Sequence, residues 1–160
     1  MCHFKRCVEP ASSTLTSMNK TDARDFFAEL QDEICRRLEE LEGRGRFRED
    51  RWVREEGGGG RTRVMEDGAV FGKAGVNFSE VFGHFEEGFA ERLPLGHGTQ
   101  FYATGTSLVI HPSNPFVPTV HANFRYLERG SGSWFGGGTD LTPYYPRIED
   151  VVHFHRTLKT

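Results

Sequence analysis

The segment from Thr119 to Tyr126 constrains the fold most strongly, because its side chains alternate strictly between apolar and polar. The apolar residues are Val120, Ala122, Phe124 and Tyr126, and the polar residues are Thr119, His121, Asn123 and Arg125. Successive side chains of a β-strand point to opposite faces of the sheet. The pattern therefore predicts a strand within Thr119–Glu128 that turns one face to a core and presents a second, polar face.

The polar face of this strand carries a histidine, a carboxamide and a guanidinium. In the preceding predicted strand, Thr106–His111, alternation places Ser107 and His111 on one face. If the two strands pair, a single surface holds Ser107, His111, His121, Asn123 and Arg125. Such a surface offers donors and a cation without a carboxylate, which suits an anionic, hydrogen-bonding ligand. The alternative is a solvated sheet face, although no Lys or Glu occurs between Thr119 and Leu127.

Turn signals divide the rest of the chain into short extended segments. Pro112–Pro115 ends one strand, Gly130–Gly132 forms a turn, and Ser133–Gly136 begins a third strand, which together predict an antiparallel meander. Asp67-Gly68 predicts a hairpin between Arg61–Glu66 and a return strand that starts at Val70. The stretch from His84 to Gln100 is expected to be a loop with one helical turn.

Helical periodicity occurs at Thr21–Glu42 and again from Arg147 onward. The first helix is predicted to be capped by Asn19 or Thr21, to end at Gly43 and to bury Cys35. Its apolar stripe consists of Phe26, Phe27, Leu30, Ile34, Leu38 and Leu41. In the second helix, His155 falls on the stripe of Ile148, Val151, Val152 and Leu158, so we expect His155 to face inward and His153 outward.

Length and composition narrow the classes of protein. A chain of 160 residues is one domain's worth. It has no run of about 18 apolar residues, which predicts no transmembrane segment, and its net charge of −3 gives no reason to expect nucleic-acid binding. The three cysteines form no CxxC pair, which favours a reducing compartment and a cytoplasmic location.

The N-terminal residues have a different character. Residues 1–18 lack an apolar signal region and are expected to form a flexible extension. A mitochondrial or plastid transit peptide is the alternative for this segment.

Two glycine runs, Gly57–Gly60 and Gly136–Gly138, match neither a P-loop nor a dinucleotide-binding motif. No GxSxG elbow is present either. Glycines within a strand mark a bulge or a close approach of a ligand to the backbone. Gly136–Gly138 therefore predicts a flat, open surface with Asp140 at its rim.

Several longer strings resemble one family. His111–Pro115 with Val117–Tyr126, and Trp134–Tyr145, are similar to the two signatures of the oxygen-dependent coproporphyrinogen III oxidases. Three further matching segments are Gly57–Arg61, Ala74–Ser79 and His153–Arg156. The resemblance extends from about Ala23 to Lys159.

The resemblance implies an α+β fold with a large antiparallel β-sheet flanked by helices, of which this chain supplies part. It implies a homodimeric enzyme of haem biosynthesis that converts two propionates of coproporphyrinogen III to vinyls, giving protoporphyrinogen IX. O2 is the co-substrate and no organic cofactor is expected, whereas a divalent metal is described for bacterial members. Residues 19–160 would be the N-terminal portion of a single oxidase domain truncated at its C-terminus, inactive alone. The alternative is a truncated paralogue that binds a tetrapyrrole without catalysis.

The resemblance also implies residue roles. The catalytic set is His121 as proton donor, Asp140 and Arg125. The substrate-binding set is Ser107, Asn123, Phe124, Arg125, Gly137 and Gly138. The metal-associated histidines are His111, His121 and His155. Chemistry agrees with two of these roles, because the Arg125 fork matches a propionate carboxylate and Asp140 can accept hydrogen bonds from pyrrole N–H groups and stabilise positive charge on the macrocycle.

Overall fold

The structure is a computed structural model that describes residues 19–92 and 96–159. Its elements, in chain order, are α1 (Lys20–Glu42), β1 (Arg48–Val53), β2 (Gly58–Glu66), β3 (Phe71–His84), α2 (Glu87–Ala90), β4 (Gln100–Pro112), β5 (Thr119–Arg129), β6 (Gly132–Thr142) and α3 (Ile148–Thr157). The predicted extension at residues 1–18 lies outside the described residues. No helix of the described part is long and apolar enough to cross a membrane.

The six strands form one antiparallel sheet in the order β1-β2-β3-β4-β5-β6, so each strand pairs with the next along the chain. This confirms the predicted α+β class and the predicted meander. The strands are longer than expected, since β4 begins at Gln100 rather than at Thr106. Its first half lacks a clear apolar alternation but pairs along its length with β3, so tertiary pairing decides its extent.

Two local signals act as the sequence predicts. Asp67 adopts a positive φ of 55° and its N–H donates to the Gly72 carbonyl, which closes the β2–β3 hairpin. Asn19 caps α1 by accepting the N–H groups of Thr21 and Asp22, and Gly43 ends the helix at φ 82°. The single helical turn expected after His84 is α2.

Helix α1 packs across one face of the sheet, but its buried stripe differs from the predicted one. The buried residues are Ala23, Phe27, Gln31, Cys35, Leu38 and Glu42. Phe26 is 51 % exposed and Leu41 is 68 % exposed, so the prediction that both join the core is wrong. The buried residues are three or four positions apart, and they include Gln31 and Glu42 because both of these find polar partners under the helix.

The core between α1 and the sheet consists of two clusters. One joins Cys35 and Leu38 to Met65, Val76 and Ile110 of the central strands. The other joins Ala23 and Phe27 of α1 to Tyr102 and Tyr126 of the sheet. Cys35 is therefore buried, as predicted. Because both clusters lie on the same side, the core fixes which face of each strand is left open.

Helix α3 buries none of its residues against the described part of the chain. His155 is exposed, as is the apolar stripe of Ile148, Val151, Val152 and Leu158. The prediction that His155 faces inward is wrong for this structure. Periodicity shows which residues share a side of a helix, but it does not show whether another element covers that side.

Candidate active site

The face of the sheet opposite α1, here called the open face, collects the candidate site. Directly opposite residues of an antiparallel pair share a face, so the strand register arranges the open face in transverse rows. One row is Trp52, Gly60, Ser79, Gly105, Arg125 and Gly136. The next is Asp50, Thr62, Asn77, Ser107, Asn123 and Gly138. A third is Arg48, Val64, Gly75, Val109, His121 and Asp140.

Arg125 stands between two residues that have no side chain. Gly105 lies opposite it on β4 and Gly136 lies opposite it on β6. A Cβ added at Gly136 would enter open space. Among the described residues, no carboxylate pairs with Arg125, and its side chain is exposed. The guanidinium is therefore free to bind an anion from above the sheet.

The second row places three small polar side chains side by side. Ser107 lies opposite both Asn77 and Asn123. Asn123 donates a long hydrogen bond of 3.5 Å from Nδ2 to the Gly138 carbonyl. Within residues 19–92 and 96–159, the Asn77 and Ser107 side chains make no hydrogen bond. These groups keep their donors and acceptors available for a ligand.

His121 and Asp140 form a hydrogen-bonded couple at one side of the open face. They are direct partners in the β5–β6 register, and His121 Nδ1 lies 2.8 Å from Asp140 Oδ1. Thr142 Oγ1 also donates to Asp140 Oδ1, at 3.3 Å. A carboxylate accepts only, so the pairing assigns the proton to Nδ1 of His121. The second ring nitrogen, Nε2, is thereby left to exchange a proton with a bound molecule.

Phe124 and Gly137 lie on the opposite face from the other predicted substrate-binding residues. They are direct partners in the register, out of phase with Asn123 and Gly138. A Cβ at Gly137 would come within 2.5 Å of the Asn123 carbonyl, and Phe124 is 42 % exposed beside the helix-covered region. The structure thus brings Ser107, Asn123, Arg125 and Gly138 together and separates the side chains of this pair from them.

The three predicted metal-associated histidines do not assemble. The His111 and His121 rings are 6.4 Å apart between centroids, but His155 is on α3 and does not join them. His121 Nδ1 is engaged by Asp140, and His111 Nδ1 lies 3.4 Å from Thr119 Oγ1. In the described ranges, no group of three His, Cys, Asp or Glu side chains could hold a metal ion. These residues therefore do not fit a metal site in this arrangement.

Sequence reasoning missed Asn77, Gly75 and Ser79 as members of the open face. The signal was present, because β3 alternates between Ala74, Val76 and Phe78 on the helix side and these three on the other. Gly75 has no atom within 4 Å of an added Cβ, so it widens the flat area next to Asn77. Carboxylates occur on the open face near its ends, at Asp50, Glu66 and Asp140.

Comparison of the sequence with known proteins identifies the family to which the chain belongs. The family model described as coproporphyrinogen III oxidase matches residues 22–160. Proteins named oxygen-dependent coproporphyrinogen-III oxidase are similar to the chain. The one from Prochlorococcus marinus (strain MIT 9515) is 51 % identical over 139 residues, covering 86 % of this chain and 41 % of that protein.

A relative from Synechococcus sp. (strain CC9902) is 57 % identical over 136 residues, covering 84 % of this chain and 38 % of its own length. One from Parasynechococcus marenigrum (strain WH8102) is 53 % identical over 149 residues, covering 92 % and 41 %. The chain thus spans about 40 % of the length of the curated relatives it matches. With its antiparallel sheet and the matched span, the chain belongs to the coproporphyrinogen III oxidase family.

Proposed function

We propose that the open face is the substrate-binding surface of an oxygen-dependent coproporphyrinogen III oxidase. The reaction is the oxidative decarboxylation of two propionates of coproporphyrinogen III to vinyls, which gives protoporphyrinogen IX with O2 as electron acceptor. The observation that carries this proposal is the combination on one face of an unpaired guanidinium, a histidine–aspartate couple and side-chain-free positions. An anionic and easily oxidised tetrapyrrole macrocycle needs each of these.

Arg125 binds a propionate in this proposal. Its planar fork matches the geometry of a carboxylate, and no internal acid competes for it among the described residues. Gly136 leaves open space on the β6 side for the macrocycle, whereas Gly105 on the β4 side gives room to the stem of Arg125 itself. Gly138 and Gly75 extend the same flat area along the sheet. Close approach of a ligand to the backbone is one of the roles of glycine in a strand interior.

His121 handles protons, with Asp140 as the group that orients it. Reduction of O2 consumes protons, and a positioned imidazole donates or accepts them near neutral pH. The hydrogen bond from Nδ1 to Asp140 fixes the ring and turns Nε2 toward the bound molecule. The remaining Asp140 oxygen, Oδ2, can accept from pyrrole N–H groups and stabilise positive charge that develops on a pyrrole ring while its propionate is oxidised to a vinyl group and CO2, with O2 as electron acceptor. No step is assigned to a metal, because the histidines do not form a site here.

An anaerobic titration of the purified chain with coproporphyrinogen III tests the proposal, followed by air and chromatography of the porphyrins. Saturable binding, with or without protoporphyrin and CO2, would support the assigned surface. Absence of binding would contradict it. Arg125→Ala should weaken binding about 10–100-fold, the value of a hydrogen bond to a charged group. In an active enzyme, Asp140→Ala should chiefly lower kcat and leave KM nearly unchanged.

The paralogue that binds without catalysis is less well supported. It would be favoured by loss of His121, Arg125 or Asp140, and all three are present. The homodimer and the cytoplasmic location implied by the resemblance are also proposals. Exposed Phe124 and Phe135 give the helix-covered side an apolar area that a second copy or further chain can cover. Sedimentation of the protein at several concentrations measures its oligomeric state.

A further inference from the structure

Asn77 extends the polar row of the open face beyond the residues that the resemblance implies. In the β3–β4 register it lies directly opposite Ser107, which is itself opposite Asn123. These three side chains lie on neighbouring strands about 4.8 Å apart, so the row spans about 10 Å. Asn77 is thus one strand further from β6 than Ser107, the outermost predicted substrate-binding residue.

The surroundings of Asn77 leave its carboxamide without an internal role. Its side chain is exposed and has no hydrogen-bond partner in the part of the chain that the structure describes. Its neighbours on the same face are small: Gly75 and Ser79 along β3, and Thr62 on β2. Asn is depleted in β-strands, whereas Thr is enriched there, so a strand position that only faced water would more often carry a residue such as Thr.

The separation between Asn77 and Arg125 indicates what kind of molecule would use both. Arg125 is on β5, two strands away from Asn77 on β3. Along the strand direction it is offset by two residues, because the residue of β3 in the Arg125 row is Ser79 rather than Asn77. Strand spacing and rise place the two Cα atoms about 12 Å apart. Gly105 is the open-face residue of β4 in the Arg125 row, and the stem of Arg125 lies over it, with Cγ 3.2 Å from where a Cβ would stand. A ligand that bridges them must carry two well-separated acceptor groups.

We propose that Asn77 binds a second carboxylate of the tetrapyrrole substrate while Arg125 binds the first. The inference rests on the proposed function and adds a residue that determines how the macrocycle is oriented on the sheet. The Asn77 carboxamide donates through Nδ2 to the carboxylate, and the neutral side chain leaves no excess charge when the site is empty. Two anchors at this spacing distinguish a substrate with propionates on separate rings from one with a single acidic edge.

Fluorescence titration with coproporphyrin III measures this binding without requiring turnover. Both tryptophans of the chain, Trp52 and Trp134, lie on the open face, so a bound porphyrin quenches their emission. Asn77→Ala should raise Kd about tenfold. Asn77→Asp should raise it further, about 10–100-fold, because a second carboxylate would then face the ligand's own. Thr62→Ala, next in the same row and toward the edge, is the matched control and should change Kd less than about twofold.

The outcomes separate the two proposals. If the unchanged chain does not quench with coproporphyrin III, the proposed surface and the role of Asn77 both fail. If it binds and the Asn77 variants bind equally well, only the role of Asn77 fails. Binding by Asn77→Asp as tight as that of the unchanged chain, or tighter, would contradict the carboxylate assignment, since an acid there would favour pyrrole N–H groups instead. Equal losses in Asn77→Ala and Thr62→Ala would also overturn it, since they would indicate a general disturbance of the sheet.

Discussion

The two faces of this sheet are built from the same strands but treat polar groups in opposite ways. Beneath α1, the fully buried Gln31 donates to the carbonyls of Arg61 and Val76 and accepts from the Arg61 guanidinium. On the open face, Asn77 carries the same carboxamide and, among described residues, bonds to no side chain or backbone group. The guanidinium of Arg63 pairs with Asp32 and Glu49, whereas Arg125 has no such partner in the described ranges.

This difference indicates that the helix-covered face of the sheet contributes to stability and that the open face is suited to binding a ligand. Buried polar groups need their partners, because an unmade hydrogen bond costs about 1–3 kcal/mol. A binding surface needs the reverse, since a group already satisfied inside the protein gains little from a ligand. Substitutions on the helix-covered face should therefore change the free energy of unfolding, and those on the open face should change affinity.

The largest expected effect comes from the aromatic core beneath α1. Phe27 is 2 % exposed and packs with Tyr102 and Tyr126. Phe27→Ala should lower the free energy of unfolding by about 3–5 kcal/mol, because it removes apolar contacts and leaves a cavity. The matched control is Val109→Ala on the open face, where Val109 is 37 % exposed and a loss of about 1 kcal/mol or less is expected. Urea unfolding measures both, and comparable losses would abolish the contrast.

The second effect compares the same functional group on the two faces. Gln31→Leu keeps the side-chain volume but removes two donated hydrogen bonds and the acceptor for Arg61. We expect a loss of about 1–3 kcal/mol. Asn77→Ala should stay within about 0.5 kcal/mol, since it removes no internal bond. A large loss in the Asn77 variant would mean that the open face also contributes to stability.

Adjacent glycines of β6 sharpen the comparison with one added methyl group. An alanine Cβ at Gly137, on the helix side, would lie 2.5 Å from the Asn123 carbonyl oxygen, so the backbone must shift. Gly137→Ala should cost about 1–2 kcal/mol. At Gly136 the same atom enters open space, so Gly136→Ala should change unfolding by less than about 0.5 kcal/mol while it weakens porphyrin binding. Thermal unfolding measures the stability of both variants, and the fluorescence titration measures their porphyrin affinity. Equal stability losses in the two variants would contradict the prediction.

The smallest expected effect appears only on acidification. Glu42 accepts the N–H groups of Phe71, Val70 and Ala69, and these hydrogen bonds hold its pKa below the usual range. The stability that this carboxylate adds is present above its unfolded pKa and is lost as pH falls through its folded pKa. Glu42→Gln should flatten the decline in unfolding free energy between about pH 7 and about pH 3. Glu29→Gln, on the exposed side of α1, is the matched control for the loss of one carboxylate.

Local chemistry accounts for the predictions that the structure confirms. The cap at Asn19, the stop at Gly43 and the Asp67 turn depend on residues close in sequence, and each forms as expected. Alternation in β5 likewise assigned His121, Asn123 and Arg125 to one face. The roles proposed for them stay predictions until binding is measured.

The wrong predictions concern partners distant in sequence. Helical stripes placed Phe26, Leu41 and His155 inward, but all three are exposed because no described element covers them. The polar residues Gln31 and Glu42 are buried instead. Their hydrogen-bond partners are backbone groups of the sheet and its hairpin, which are distant in sequence, so only the folded structure shows that these partners are present.

The sequence by itself determined the helix that became α1, the antiparallel meander and the polar side of β5, since each follows from short-range periodicity and turn chemistry. Only the tertiary structure decided that Asp140 lies opposite His121 and that Asn77 joins the row of Ser107 and Asn123. Strand register depends on hairpin lengths and on packing against α1, which are long-range properties. Alternation indicates the face of the sheet to which a side chain points, whereas register determines which residues of the neighbouring strands lie beside it.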